Sequence, residues 1–231
     1  MSGIKKLYET NGFNEIERKY GFHFEDKSLL IKAFIHSSFD FGINNNYQRL
    51  EFLGDAILQM IVSDYMYRFL PNDREGVMSK KRSSLVSETS LAYLIRKEGL
   101  DKYIIFGKSM INEGNTDSDS YVADVYESFI AAIYLDRGYD QAEEFVKRTL
   151  IKEWDKILDS EDNQDYKTKF QEIVQVNGAV SIQYKSVKTE EGFDAEVTLE
   201  GISVGRGFGK TKKKAEQNAA KDAIGKRAIS K

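Results

Sequence analysis

QRLEFLGDAIL, residues 48–58, is the stretch on which the reading of this chain turns. As a helix it sets Leu50, Leu53 and Ile57 on one side at spacings of three and four, the pattern of a buried stripe. Glu51 and Asp55 lie four apart beside that stripe, and their own row continues into Leu58 and Val62. This is not the pattern of a solvated acidic face. A carboxylate left unpaired on apolar surroundings costs several kcal/mol, so something must compensate the pair.

Outward from this stretch the grammar stays helical. Segments 12–20, 27–36, 48–69, 77–97, 121–136 and 140–158 carry apolar residues at helical spacing. Pro71, the only proline, follows the long helix where a stop is expected. GKSMINEGNTDSDS, 107–120, reads as a loop leading into the helix that holds Asp124, and the acidic run from 159 as a linker. Beyond it, 165–176 is helical, and SIQYKSVK, FDAEVTLE and ISVGRGFG alternate as three strands. An alanine-rich helix closes the chain. The expected architecture is an all-α domain over 1–158, a linker at 159–164, and a small α+β domain of order α-β-β-β-α over 165–231.

Charge divides along the same line. Residues 165–231 carry 13 Lys and Arg against 9 Asp and Glu, whereas the preceding residues carry 21 against 28. An acidic body with a basic C-terminal part suggests two units with different partners. The chain has no cysteine, which excludes disulfides and thiolate metal sites and fits a reducing cytosol. Its two histidines, His23 and His36, are too far apart to build a metal site alone, so any divalent ion must be held by oxygens, which favours Mg²⁺. MSGIKKLYETNGF lacks the apolar core of a signal peptide, and FIAAIYL, 129–135, is too short to cross a bilayer. A cytoplasmic protein without a membrane partner is the expectation.

The acid pair recurs. YVADVYESFIAAIYLD, 121–136, sets Asp124 and Glu127 three apart on a helix that continues apolar. Residues at i,i+3 and i,i+4 share a face, so each pair can converge on one point. Four carboxylates from two helices would form an oxygen cage, and without a cation they would repel and raise one another's pKa. A bound Mg²⁺ answers both burial and repulsion. The plainer reading is an exposed face or ion pairs to Arg49, Arg82 or Arg137; two pairs on otherwise apolar helices favour the cage. Gly54 between the first pair lets a neighbouring backbone or a ligand approach closely, or serves packing alone.

In the basic domain, Thr211 is a plausible N-cap, yet Lys212, Lys213 and Lys214 fill the first turn of the last helix, where the dipole disfavours cations. A bound phosphate would resolve this, with backbone N–H groups, dipole and lysines acting together.

QRLEFLGDAIL also resembles the signature of the ribonuclease III family. FIHSSF at 34–39, EGVMSKKRSSLVSE at 75–88 and VADVYESFIAAIYLD at 122–136 follow in the family's order, and DYKTKFQEIVQ with GKTKKKAEQNAA resemble its double-stranded RNA-binding domain. The resemblance implies an all-helical nuclease domain that forms a homodimer and cuts double-stranded RNA with Mg²⁺, or Mn²⁺ in its place, and no organic cofactor. It places the metal ligands at Glu51, Asp55, Asp124 and Glu127, with Asp55 and Glu127 catalytic, and a dimer-interface aromatic at Phe52. Thr168, Gln171 and Glu172 would face a minor groove, and Lys210, Lys212 and Lys213 the phosphates. It further implies 5′-phosphate and 3′-hydroxyl ends with short 3′ overhangs, and ribosomal RNA precursors and some messenger RNAs as substrates. This sequence departs from the family pattern at Gln48 and Met110, usually acids, and in KTEEGFD, which lacks the Gly-Pro and His of the corresponding loop; Glu75 keeps a family acid.

Overall fold

A computed structural model describes residues 2–39, 45–114, 116–159, 166–175 and 180–229. The chain divides into two compact units, Met1–Ser160 and Glu161–Lys231. Apart from Asp159, the expected linker lies outside the described residues.

The first unit is helical: α1 (Ser2–Thr10), α2 (Asn14–Tyr20), α3 (Lys27–Lys32), α4 (Gln48–Phe69), α5 (Glu75–Leu85), α6 (Glu88–Lys97), α7 (Lys108–Asn112), α8 (Asp119–Arg137), α9 (Tyr139–Thr149) and α10 (Trp154–Leu158). Helix α8 is the axis. Phe129, Ile130, Ala131, Ala132 and Ile133 are all fully buried, so one turn is apolar on every side, as a helix must be when neighbours surround it. Helices α3, α4, α6 and α9 supply those neighbours. Phe129 packs against Phe34 and Phe145 at ring distances of 5.4 and 5.1 Å. A buried hydroxyl of α8, Ser128 Oγ, donates to the Ala33 carbonyl at 2.7 Å.

Helical spacing predicted the long elements and missed their punctuation. The segment 77–97 is two helices, because Ser87 caps the second: its Oγ accepts from the Ser90 N–H at 3.3 Å. The stretch 27–36 is helical only to Lys32; beyond it Ile35 forms a bridge with Ile105. The segment 140–158 is α9, a 3₁₀ turn at Ile151–Glu153 and α10. Two short helices, α1 and α7, stand outside the predicted segments, α7 within the expected loop 107–120.

The second unit is α11 (Tyr166–Gln175), β1 (Ile182–Lys188), β2 (Phe193–Leu199), β3 (Ile202–Gly209) and α12 (Lys212–Ile229), the predicted α-β-β-β-α order. The sheet is antiparallel with order β1-β2-β3. Its core is unusually thin. A Cβ on Gly205 would stand 2.3 Å from the Ala219 carbonyl oxygen, and one on Gly207 would stand 2.3 Å from the Ala219 nitrogen. Alternate glycines on β3 thus admit the α12 backbone directly, and Ala215, Ala219, Ala220 and Ala223 complete the contact.

Candidate active site

Helices α4 and α8 cross at Gly54. A Cβ at this position would lie 1.8 Å from the Glu127 carbonyl oxygen and 2.4 Å from its carbon, so the two backbones touch where any side chain would hold them apart. Of the two readings open for Gly54, close approach of a backbone is the one observed. The contact makes neighbours of Glu51 and Asp55 on α4 and Asp124 and Glu127 on α8.

Their charges feel one another. Burial raises the pKa of Glu51, and Asp124 and Asp55 raise it further. Asp124 is raised by burial and by Glu88, against a hydrogen bond from the Tyr47 hydroxyl that lowers it. Glu127 is pushed up to about 8 by burial and then by Asp55, Asp124, Glu51 and Glu88. Of the arginines that could have neutralised the acids, Arg82 donates to Ser63 Oγ at 2.7 Å and Arg137 pairs with Glu25 at 3.4 Å, while Arg49 is exposed.

One expectation needs correction. Asp55 is exposed, not buried beside Leu58 and Val62; its Oδ1 accepts from the Gln59 amide at 3.3 Å. Three and four residues do not close whole turns of a 3.6-residue helix, so Leu58 and Val62 swing into the core while Asp55 stays at its rim. Among the described residues, no group of three or more acidic or histidine side chains is already gathered as a set of ion ligands. The donor set nonetheless fits one class of ion. It is all oxygen, anionic and uncompensated by arginine, which suits a hard divalent cation.

Two participants escaped the sequence reading. Glu88 is the first residue of α6, and its charge acts on both Asp124 and Glu127. Reading 77–97 as one helix hid it, since no spacing within a single helix links it to α8. Tyr47, just before α4, donates from its hydroxyl to Asp124 Oδ2 at 2.9 Å. His36 is buried, and its Nδ1 accepts from the Ser38 N–H at 3.0 Å. Met110 is buried in α7, and Gln48 is exposed at the start of α4.

The raised pKa of Glu127 gives a pH dependence. A carboxyl whose folded pKa is about 8 rather than 4.5 leaves the folded state binding more protons across that window, so stability falls as pH rises through it. In EDTA the protein is expected to lose stability between about pH 5 and pH 8, and Glu127→Gln, neutral throughout, to escape that loss. Solvent at this half-buried site screens the effect to about 1–3 kcal/mol, or roughly 2–10 °C in melting temperature. Melting curves of both proteins at the two pH values check this; parallel losses would exclude the assignment.

On α4, Phe52 is 83% exposed, with Met60 at 60% and Tyr67 at 78% further along the helix. Large apolar side chains grouped on one helix mark a surface suited to a partner.

In the second unit, Thr168, Gln171 and Lys213 line one groove of about 520 Å³ between α11, β1 and α12. Lys210 and Lys212 are exposed at its α12 end, while Glu172 is exposed on α11 outside the lining. Thr211 caps α12 as predicted, its Oγ1 accepting from the Lys214 N–H at 3.2 Å. The loop between β1 and β2 is a tight turn in which the Thr189 N–H donates to the Gly192 carbonyl at 2.8 Å.

A helical domain with a crossed pair of acid-bearing helices, joined to an α-β-β-β-α domain with a basic helix start, defines a nuclease coupled to a nucleic-acid-binding module. Residues 26–154 match the family model described as Ribonuclease-III-like, and residues 166–226 that of the double-stranded RNA binding motif. The protein named Ribonuclease 3 in Pelotomaculum thermopropionicum is 40% identical over 219 residues, 90% of each chain. Its counterpart in Streptococcus pneumoniae is 38% identical over 221 residues, 91% of this chain and 94% of the relative. The nuclease domain of ribonuclease III from Campylobacter jejuni, whose structure is described as flexible in a region involved in dimer formation, superposes with a TM-score of 0.55 at 36% identity, covering 59% of this chain and 94% of that one. The chain belongs to the ribonuclease III family, the endoribonucleases specific for double-stranded RNA.

Proposed function

We propose that this enzyme is a homodimeric, Mg²⁺-dependent endoribonuclease in which Glu51, Asp55, Asp124 and Glu127 hold the ion, Mn²⁺ being able to replace Mg²⁺. The observation that carries the reading is the α4–α8 crossing at Gly54, which sets two acid pairs in mutual repulsion with no arginine to relieve it. When bound, a divalent ion lowers the pKa of water and neutralises charge building on the phosphate. Glu51, Asp124 and Glu127 bind it by carboxylate oxygens. Asp55, at the solvent rim, helps to order the ion or the attacking water, and like Glu127 it belongs to both ligand and catalytic sets. Water attacks phosphorus, the bond from phosphorus to the 3′-oxygen breaks, and a proton passes to that oxygen, leaving a 5′-phosphate and a 3′-hydroxyl.

Phe52 and the exposed face of α4 are the dimer surface in this reading. One acid site per subunit then cuts each strand of a duplex, leaving short 3′ overhangs. Thr168, Gln171 and Glu172 approach ribose hydroxyls, and Lys210, Lys212 and Lys213 the phosphates. Structured ribosomal RNA precursors and some messenger RNAs in the cytoplasm are the substrates this scheme fits. KTEEGFD lacks the Gly-Pro and His that would probe a second minor groove, which favours weaker or less discriminating binding by this domain.

End-labelled duplex RNA incubated with Mg²⁺ or with EDTA tests the proposal. Metal-dependent cutting supports it. Binding without cutting under any divalent ion would leave a double-stranded RNA-binding protein instead, and turnover indifferent to removal of residues 165–231 would point to a small-molecule phosphohydrolase. For the lysines the expectation is electrostatic. Lys213→Ala should weaken binding to all duplex sequences alike and reduce the slope of log affinity against log salt by about 1. A salt titration checks it; a sequence-selective loss would contradict phosphate contact.

A further inference from the structure

Tyr47 occupies a position that the acid site alone does not explain. It is 3% exposed, yet its hydroxyl reaches the solvent-facing acid site and donates to Asp124 Oδ2 at 2.9 Å. Its backbone is as tightly held as its side chain. The Tyr47 N–H donates to the Ile35 carbonyl at 2.9 Å, and its own carbonyl accepts from the Leu50 and Glu51 N–H groups, each at 2.8 Å. One residue therefore starts the helix that presents Glu51 and, through its hydroxyl, touches the acid presented by α8. The ring is buttressed. His36 meets it edge-on at 5.5 Å and 70°, and His36 is itself enclosed by Phe106 at 5.2 Å and Tyr121 at 4.7 Å.

We propose that Tyr47 is a positioning residue for the metal site: its hydroxyl holds one oxygen of Asp124 and presents the other to a divalent cation. The inference rests on the reading of the four acids as ion ligands. Its chemistry is that of an outer partner of a ligating carboxylate. Asp124 has two oxygens and a side chain with rotamer freedom, and it stands among three other acids that repel it. A neutral donor fixed by the core sets the carboxylate plane without supplying a competing charge, which a lysine or arginine would do. Such outer partners typically contribute 10–100-fold to metal affinity. A tyrosine serving only the core would put its hydroxyl on any nearby acceptor, and its loss would register in stability alone.

The experiment uses the full chain without RNA and Mn²⁺ as probe, with free Mn²⁺ read by electron paramagnetic resonance. Tyr47→Phe removes only the oxygen and keeps the ring among His36 and its neighbours. The expected result is a 10–100-fold rise in the Mn²⁺ dissociation constant, and a matching rise in the Mg²⁺ concentration for half-maximal cleavage. The Asp124→Asn background separates positioning from general loosening. If Tyr47 acts through the carboxylate, Tyr47→Phe costs little further Mn²⁺ affinity there, a non-additive pair. Unchanged Mn²⁺ affinity in Tyr47→Phe, or an equal loss in both backgrounds, overturns the assignment and leaves the acid site standing. Absence of Mn²⁺ binding by the wild-type chain overturns both.

Discussion

Glu127→Gln is expected to abolish duplex cleavage while leaving duplex binding within about twofold of wild type. The substitution keeps size and shape and removes one anionic ligand from a cluster of four. Losing the stabilisation that a ligated ion gives to a phosphoryl transition state costs several kcal/mol, on the order of 10³-fold in rate. Glu127 is the residue for which this is sharpest. It lies at the α4–α8 crossing, and burial together with Asp55, Asp124, Glu51 and Glu88 pushes it up to about 8, so its neutralisation relieves repulsion from four acids. The same variant should therefore be slower and, without metal, more stable. That opposite movement of activity and stability distinguishes a functional acid from a structural one, which would lose both. Binding is expected to survive because the double-stranded RNA-binding motif, residues 166–226, lies in the other compact unit. Single-turnover cleavage and a gel-shift assay on the same duplex measure the two quantities. Cleavage within tenfold of wild type would remove Glu127 from the site.

Gly54→Ala is expected to have the second largest effect, through geometry instead of charge. The added methyl would sit 1.8 Å from a backbone oxygen and 2.4 Å from a backbone carbon of Glu127, and neither atom can rotate away. The helices must separate. Overpacking of this kind costs about 1–3 kcal/mol or somewhat more, corresponding to a fall of roughly 2–12 °C in melting temperature for a unit of this size. Separation also pulls Glu51 and Asp55 away from Asp124 and Glu127, and displacements near 1 Å cost about 10²-fold in rate. The control is Gly76→Ala on α5, where an added Cβ meets nothing within 4 Å. There alanine should hold or raise stability by up to about 1 kcal/mol, because glycine is the poorer helix former. Urea unfolding and cleavage rates of the two variants, measured where both are folded, test the contrast. Equal behaviour would mean that the crossing tolerates relaxation and that the acids do not depend on it.

Much of this protein was legible in local pattern. The stripe Leu50, Leu53, Ile57 announces α4, and the apolar run from Val122 announces α8, because a helix buried on one or more faces must repeat every three to four residues. The alternation in 182–209 and the alanines of 215–223 announce a small sheet with a helix against it, down to the Thr211 cap. The acid pairs were visible because carboxylates in apolar rows conflict with burial. Less legible were the short elements. Ser87 begins a second helix by a capping hydrogen bond worth only about 1 kcal/mol, a small local signal between two stretches of the same periodicity. Helix α7 is five residues long, too short for periodicity to register.

What the sequence by itself determined is the set of groups: two acid-bearing helices, a basic C-terminal unit, and the absence of thiols and of a histidine cluster. Only the tertiary structure decided which groups meet. Gly54 could have packed against anything; the fold puts the Glu127 backbone there, and that contact turns two local pairs into one electrostatic site. Glu88 arrives from α6 and Tyr47 from the residue before α4, neither linked to Asp124 by any spacing. The same packing leaves Asp55 at the rim, where its row had pointed inward. The physical reason is range. Helical periodicity reports on neighbours within one turn, whereas Coulomb interaction and hydrogen bonding act between whatever side chains the folded backbone brings within a few ångströms, however far apart along the chain.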